Sequence, residues 1–245
     1  MKSKRGQVTL FIIIAIVIVA LCLGGYFLYK EQQKKIDIAF SSIVTNVKSY
    51  SKDRINYAVE NSLHLICFQG GYSKITTRHL DLQFYSIPYY LSNNQTSIPD
   101  KETIKAELIK EIKTRLNEVS LNFSNAEINK ENPEVEVNLT EQTKISVKFP
   151  ITIKKDKNIA SLSNDYSYKY DLDFNKFLAI SQEIASNSVN ESNSLNPEFL
   201  LNLQNEYRII ISPIIYDENT IIYRLIENNT QLNENQFEFD FAIGK

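Results

Sequence analysis

The chain is sparing in cysteine, histidine, glycine and proline, with two, two, six and six of each among 245 residues. Its cysteines are Cys22 and Cys67, and Cys22 lies inside an apolar run, which excludes a disulfide scaffold and a four-cysteine zinc module. So few glycines and prolines, without a repeat, exclude a collagen-like or elastic chain. Charge is missing from one stretch altogether: every residue from Gly6 to Tyr29 is uncharged. Against these gaps stand 14 Tyr, 13 Phe and abundant Ile in a chain that is 43% hydrophobic. That is apolar material for one or two packed domains and excludes a wholly disordered chain.

The run from Val8 to Tyr29 would rise about 33 Å as a helix, which matches the hydrocarbon thickness of a bilayer. Lys2, Lys4 and Arg5 precede it, while Lys30, Lys34 and Lys35 follow with Glu31 opposing them, so charge alone does not orient the span. Tyr26, Phe27 and Tyr29 fit an interfacial aromatic belt. A cleaved secretory signal fits less well, because no small-x-small site interrupts the run before Gly24 and Gly25. A lipoprotein signal is disfavoured by the bulky Leu21 just before Cys22.

The residues Lys4-Arg5-Gly6-Gln7-Val8-Thr9-Leu10-Phe11 form a short basic leader ending in Gly, then Gln, then the apolar helix. This start resembles the class III, type IV pilin-like signal of archaeal surface proteins. The resemblance implies a prepilin-type signal peptidase that cuts between Gly6 and Gln7, with Arg5 at the junction, and an outward-facing domain. Phe11 stands where many assembled pilins carry Glu, a departure that bears on filament assembly more than on export. The helix-ending Gln69-Gly70-Gly71-Tyr72, the later Ile87-Pro88-Tyr89-Tyr90 and a β-rich carboxyl half are similar to those of a group of single-pass archaeal membrane proteins, which carries no assigned activity.

Beyond the span, Ile36, Phe40, Ile43, Val47 and Tyr50, then Ile55, Val59, Leu63 and Ile66, recur at helical spacing up to Gly70-Gly71, a helix-stop turn. One helix from Val8 to Cys67 and a span followed by a separate stalk both satisfy this pattern. Leu80, Leu82 and Phe84 alternate as a half-buried strand that Pro88 ends or confines to a sheet edge. Asp100 caps a helix carrying Ile104, Leu108, Ile112, Leu116 and Val119. Val135 to Leu139 and Ile145 to Phe149 read as a hairpin, and Pro150 breaks the register before Ile151 and Ile153. Tyr166, Tyr168, Tyr170, Leu172 and Phe174 share one face of the next strand. A short helix over 175–185, a loop over 186–196, a helix opened by Asn196-Pro197, and strands over 207–215, 221–227 and 237–243 complete the chain.

The search for chemistry returns few residues. His64 and Cys67, three apart on a helix, are the one His/Cys pair, but Cys67 among Leu65, Ile66 and Phe68 suits a buried apolar site. Asp171 and Asp173 project from the polar face of a strand, a solvated position that could also hold a weak cation. Gly70-Gly71 opens no helix and precedes no Lys-Ser/Thr, so it is no phosphate loop. No Gly-x-Ser-x-Gly or His-Glu-x-x-His occurs, and neither cofactor nor metal is implied. Three of the 27 Lys and Arg lie in the leader, so against 29 Asp and Glu the remainder is near −5, which argues against nucleic acid as a partner. Five Asn-x-Ser/Thr sequons occur, and Asn94, Asn190 and Asn228 fall in expected loops as candidate glycosylation acceptors.

The expectation is an α+β protein: a long N-terminal helix, transmembrane then amphipathic, packed on a mainly antiparallel β-sheet with short helices. Residues 1–6 form a basic leader, 7–29 a transmembrane helix, 30–69 an amphipathic helix or stalk, and 70–245 an extracytoplasmic domain. The expected role is a structural or interaction protein at the cell envelope, rather than an enzyme, in contact with the lipid bilayer, the signal peptidase and other envelope or pilin-like proteins or copies of itself. A filament subunit is one alternative. A membrane-tethered enzyme is another, with Cys67/His64 or Asp171/Asp173 as its candidates.

Overall fold

A computed structural model describes the backbone of residues 5–123, 126–190, 196–232 and 235–244, and their side chains apart from 5–16, 35–37, 190, 228–232 and 235–236. Helix α1 (Arg5–Phe68) is one uninterrupted helix of 64 residues, about 96 Å long at 1.5 Å per residue. Of the two readings the periodicity allows, the single helix is the one observed. It ends where Gly70 (φ +50°) and Gly71 (φ +87°) turn the chain, with the Gly71 N–H donating to the Ile66 carbonyl at 2.7 Å. A Cβ on Gly70 would lie 2.7 Å from Pro88 and 2.8 Å from the Asp240 carbonyl oxygen, so the turn needs glycine for space as well as for dihedral angle.

Next come β1 (His79–Asp81), β2 (Ser86–Ser92), β3 (Gln95–Thr96) and α2 (Lys101–Glu118). Asp100 caps α2 by accepting from the Thr103 N–H at 2.7 Å, and Ile104, Leu108, Ile112 and Leu116 form its buried stripe. Strands β4 (Glu127–Lys130), β5 (Glu134–Leu139), β6 (Thr143–Lys148), β7 (Ile151–Lys155), β8 (Asn158–Leu162) and β9 (Asp165–Tyr170) follow. The last third supplies α3 (Phe174–Asn190), α4 (Pro197–Tyr207), β10 (Ile209–Asp217), β11 (Thr220–Leu232) and β12 (Asn235–Gly244). The architecture is α+β with mainly antiparallel sheets, as the pattern of elements implies.

A six-stranded sheet runs β1-β2-β12-β11-β10 with β3 on β2, and its β12–β2 contact is parallel. Phe237, Phe239 and Phe241 are fully buried on one face, where β12 meets α1 and α3. The opposite face carries a smaller cluster of Ile87, Tyr89, Ile222 and Ala242, with Leu80, Leu82 and Tyr85 against it.

The other strands form two three-stranded sheets, β4-β7-β8 and β5-β6-β9, joined end to end. All three strand lines are interrupted at the same level, at Pro133, Pro150 and Asn164. The junction is held by Glu131 N–H to Pro150 O at 3.0 Å and by the Asn164 side-chain amide to Phe149 O at 3.1 Å. Asn164 takes φ +47° there, a conformation Asn tolerates better than most residues.

Several sequence expectations are corrected. The strand expected over 80–85 is only the three-residue β1, and Phe84 is exposed. The longer strand is β2, with Pro88 inside it and buried. The register with β12 involves Tyr89 and Leu91, so the missing Pro88 N–H is not required there. Tyr166 to Tyr170 do share a strand face, but β9 stops at Tyr170 and Phe174 opens α3. Residues 186–190, expected as loop, continue α3, and 191–195 lie outside the described residues. Strands β4 and β8 have too weak an alternation to be read from the sequence.

Candidate functional site

The second half of α1 is core. Val47, Ile55, Val59, Leu63, Ile66 and Cys67 are fully buried in the same cluster as the sheets, with Phe40, Ile43 and Val44 partly buried at its lower end. The 30–69 segment therefore enters the domain core by its second half. N-terminal to Phe40 the side-chain environment changes abruptly. Every described residue from Val17 to Lys34 is exposed, including Val17, Ile18, Val19, Leu21, Leu23, Phe27 and Leu28. Successive positions of a helix point in all directions, so an all-apolar segment is bare on every side.

Of the uncharged run, the side chains are described from Val17 to Tyr29, about 20 Å of helix. Among the described residues no helix is long and apolar enough to cross a membrane. The processing residues Arg5, Gly6 and Gln7 lie within α1, and their side chains fall outside the described residues.

The sequence-derived chemical candidates occupy structural positions. Cys67 is fully buried and its thiol is pushed up by that burial and by the Asp240 and Glu227 carboxylates, the reverse of an activated thiolate. His64 stacks on Phe237 at 4.8 Å and on Phe68 at 6.1 Å, and burial lowers its pKa despite Glu60. Asp171 and Asp173 lie in the β9–α3 connection rather than on a strand, a correction that follows from β9 ending at Tyr170. Asp173 accepts from the Asn175 N–H at 2.9 Å and caps α3, while Gln142 donates to Asp171. Among the described residues no group of three His, Cys, Asp or Glu side chains is placed to hold a metal ion.

Of the candidate glycosylation acceptors, Asn94 is exposed at φ +59° in the β2–β3 turn. Asn190 closes α3 and Asn228 lies within β11, so neither is in a loop, and both side chains fall outside the described residues.

One polar site was not foreseen. Arg224 on β11 grips the fully buried Asp240 on β12 with two bonds, Nε to Oδ1 at 3.0 Å and Nη2 to Oδ2 at 2.8 Å, and pairs with Glu238 at 2.8 Å. Its Nη2 also reaches the Tyr85 hydroxyl at 3.3 Å. Burial raises Asp240, and the hydrogen bonds that Arg224 donates to Asp240 raise Arg224. The two directions pull against each other. The two-point geometry is that of an ionised pair, and we take the carboxylate as charged at neutral pH. In sequence, Glu238 and Asp240 alternate with three phenylalanines, and nothing local announces that 80–87 folds over their face. No protein-family model, curated protein or solved structure matches this chain.

Proposed function

We propose that this is a single-pass, membrane-anchored surface protein whose α+β domain is held outside the cell by α1 for a structural or interaction role at the envelope. The observation that carries the reading is an apolar helix, bare from Val17 to Tyr29, that enters the domain core without a break. The bases flanking the run and its aromatic end match the two interfaces of a bilayer. Pilin-like cleavage between Gly6 and Gln7 would remove the basic leader and leave Lys30, Lys34 and Lys35 on the outer side.

The test is the intact mass and amino terminus of the native protein extracted from membranes. A start at Gln7 is expected. An intact Met1 together with a carboxyl domain protected from protease in sealed cells would overturn it. The continuity of α1 also favours a second reading, a filament subunit whose apolar half is covered by copies of itself, since a bundle of such helices needs straight, unhinged rods. Filaments that survive deletion of 8–29 would remove that reading.

A further inference from the structure

We propose that the β7–β8 hairpin is a second contact with the membrane, an electrostatic one with anionic lipid headgroups; this rests on the anchored reading above. The argument is positional. Tyr170 packs edge-on to Phe237 at 6.2 Å, and Phe237 stacks on His64. Four residues earlier, Tyr166 is within the electrostatic reach of Asp53. Residues Ser161 to Tyr166 share a cleft with Lys48, and β8 itself contacts α1.

Read backwards from Tyr170, the β9–β8 line thus descends α1 from His64 to Lys48, toward the apolar end. Leu162 packs on the same core as Phe40 and Ile43, and the five residues from Leu162 to Asn158 extend about 13 Å further, enough to reach roughly the level of Phe40, where α1 leaves the core. From there to Tyr29 is about 16 Å of helix. The headgroup layer occupies about 5–7 Å of it. The remaining gap is comparable to the Debye length of about 8 Å at physiological salt.

The tip carries Lys154, Lys155 and Lys157 against Asp156, in a chain that is otherwise acidic. Lys154 and Lys157 are exposed, and the salt bridges among the described residues involve none of the three lysines. Glu127 lies opposite Lys154 in register and accepts instead from Asn129 at 2.9 Å. Ile159, beside the lysines on β8, is 66% exposed. Basic residues flanking an exposed apolar side chain are the composition that adsorbs to an anionic bilayer surface.

The chain contains no tryptophan, so Ile159→Trp installs a single reporter at a site that makes little contact. Full-length protein carrying it is reconstituted into vesicles of phosphatidylcholine alone or mixed with phosphatidylglycerol, each with headgroup spin-labelled lipid. Quenching is expected in the mixed vesicles, to be lost on K154E/K155E/K157E reversal and in about 1 M salt, where the Debye length is about 3 Å. Each lysine within reach contributes about fivefold to surface affinity. Phe84→Trp, next to Tyr85, which packs on Phe68 at the far end of α1, is expected to remain unquenched throughout.

Protein that floats with both vesicle types but shows equal quenching in each, or none, would overturn the headgroup contact while leaving the anchor intact. Protein that fails to float with either would overturn the anchor, and the hairpin contact with it.

Discussion

His64 shows how a single side chain can look chemical in sequence and be structural in the fold. Its ring is the middle of a stack between Phe68 and Phe237, and burial holds its pKa below the ordinary 6.5 despite Glu60. Because the folded value is depressed, the stability tied to neutral His64 is fully present above 6.5 and is lost as pH falls through the folded value. His64→Phe keeps the stack and removes the proton, so the fall in urea midpoint between about pH 7.5 and about pH 5 should shrink relative to the parent. Asp240 poses the complementary case, a fully buried carboxylate whose partner is gripped at two points. Asp240→Ala should cost about 3 kcal/mol, the usual penalty for breaking such a pair. Glu238→Gln, on the half-exposed side of the same guanidinium, should cost less than about 1 kcal/mol. Urea unfolding with an unchanged slope checks both.

At the scale of elements, what was legible in the sequence tracks local signals. The stripe on α2 and its Asp100 cap need only neighbours in the chain, and Asp100→Ala, which removes the bond accepted from the Thr103 N–H, is expected to lower the urea midpoint in the same assay. The β5–β6 hairpin follows from the pairing of Val135 with Val147 and Val137 with Ile145 across a short turn. The glycines after Phe68 likewise announce the end of α1. Misreadings arose where tertiary pairing overrode a local rule. Pro88 signals a strand end, yet β2 continues because its register with β12 takes up after the proline. The Asn- and Ser-rich stretch after Ala185 has the composition of a loop, but Ser188 is buried and bonds back to the Ile184 carbonyl at 2.8 Å within α3. The Arg224 site was illegible for the same reason: it exists only once the segment around Tyr85 is laid across the outer face of the sheet.

In the whole molecule, the folded domain and the bare helix divide cleanly along α1. Core-facing side chains begin to bury at Phe40, and the first of them to be fully buried is Val47. A chain beginning at Lys30 should therefore unfold at the same urea midpoint as the full-length protein, while losing its flotation with vesicles. An unfolding free energy lowered by more than about 1 kcal/mol would mean that the apolar half also stabilises the domain. The unbroken rod has a mechanical consequence as well. With no hinge between Tyr29 and Phe68, if α1 is anchored as proposed, any inclination of its anchored end is carried undiminished to the far end, some 58 Å away. Ten degrees of tilt, well within the range of spanning helices, would swing the top of the domain sideways by about 10 Å. The protein would behave as a lever pivoting at the surface, and a brace near the pivot would fix where its working end points.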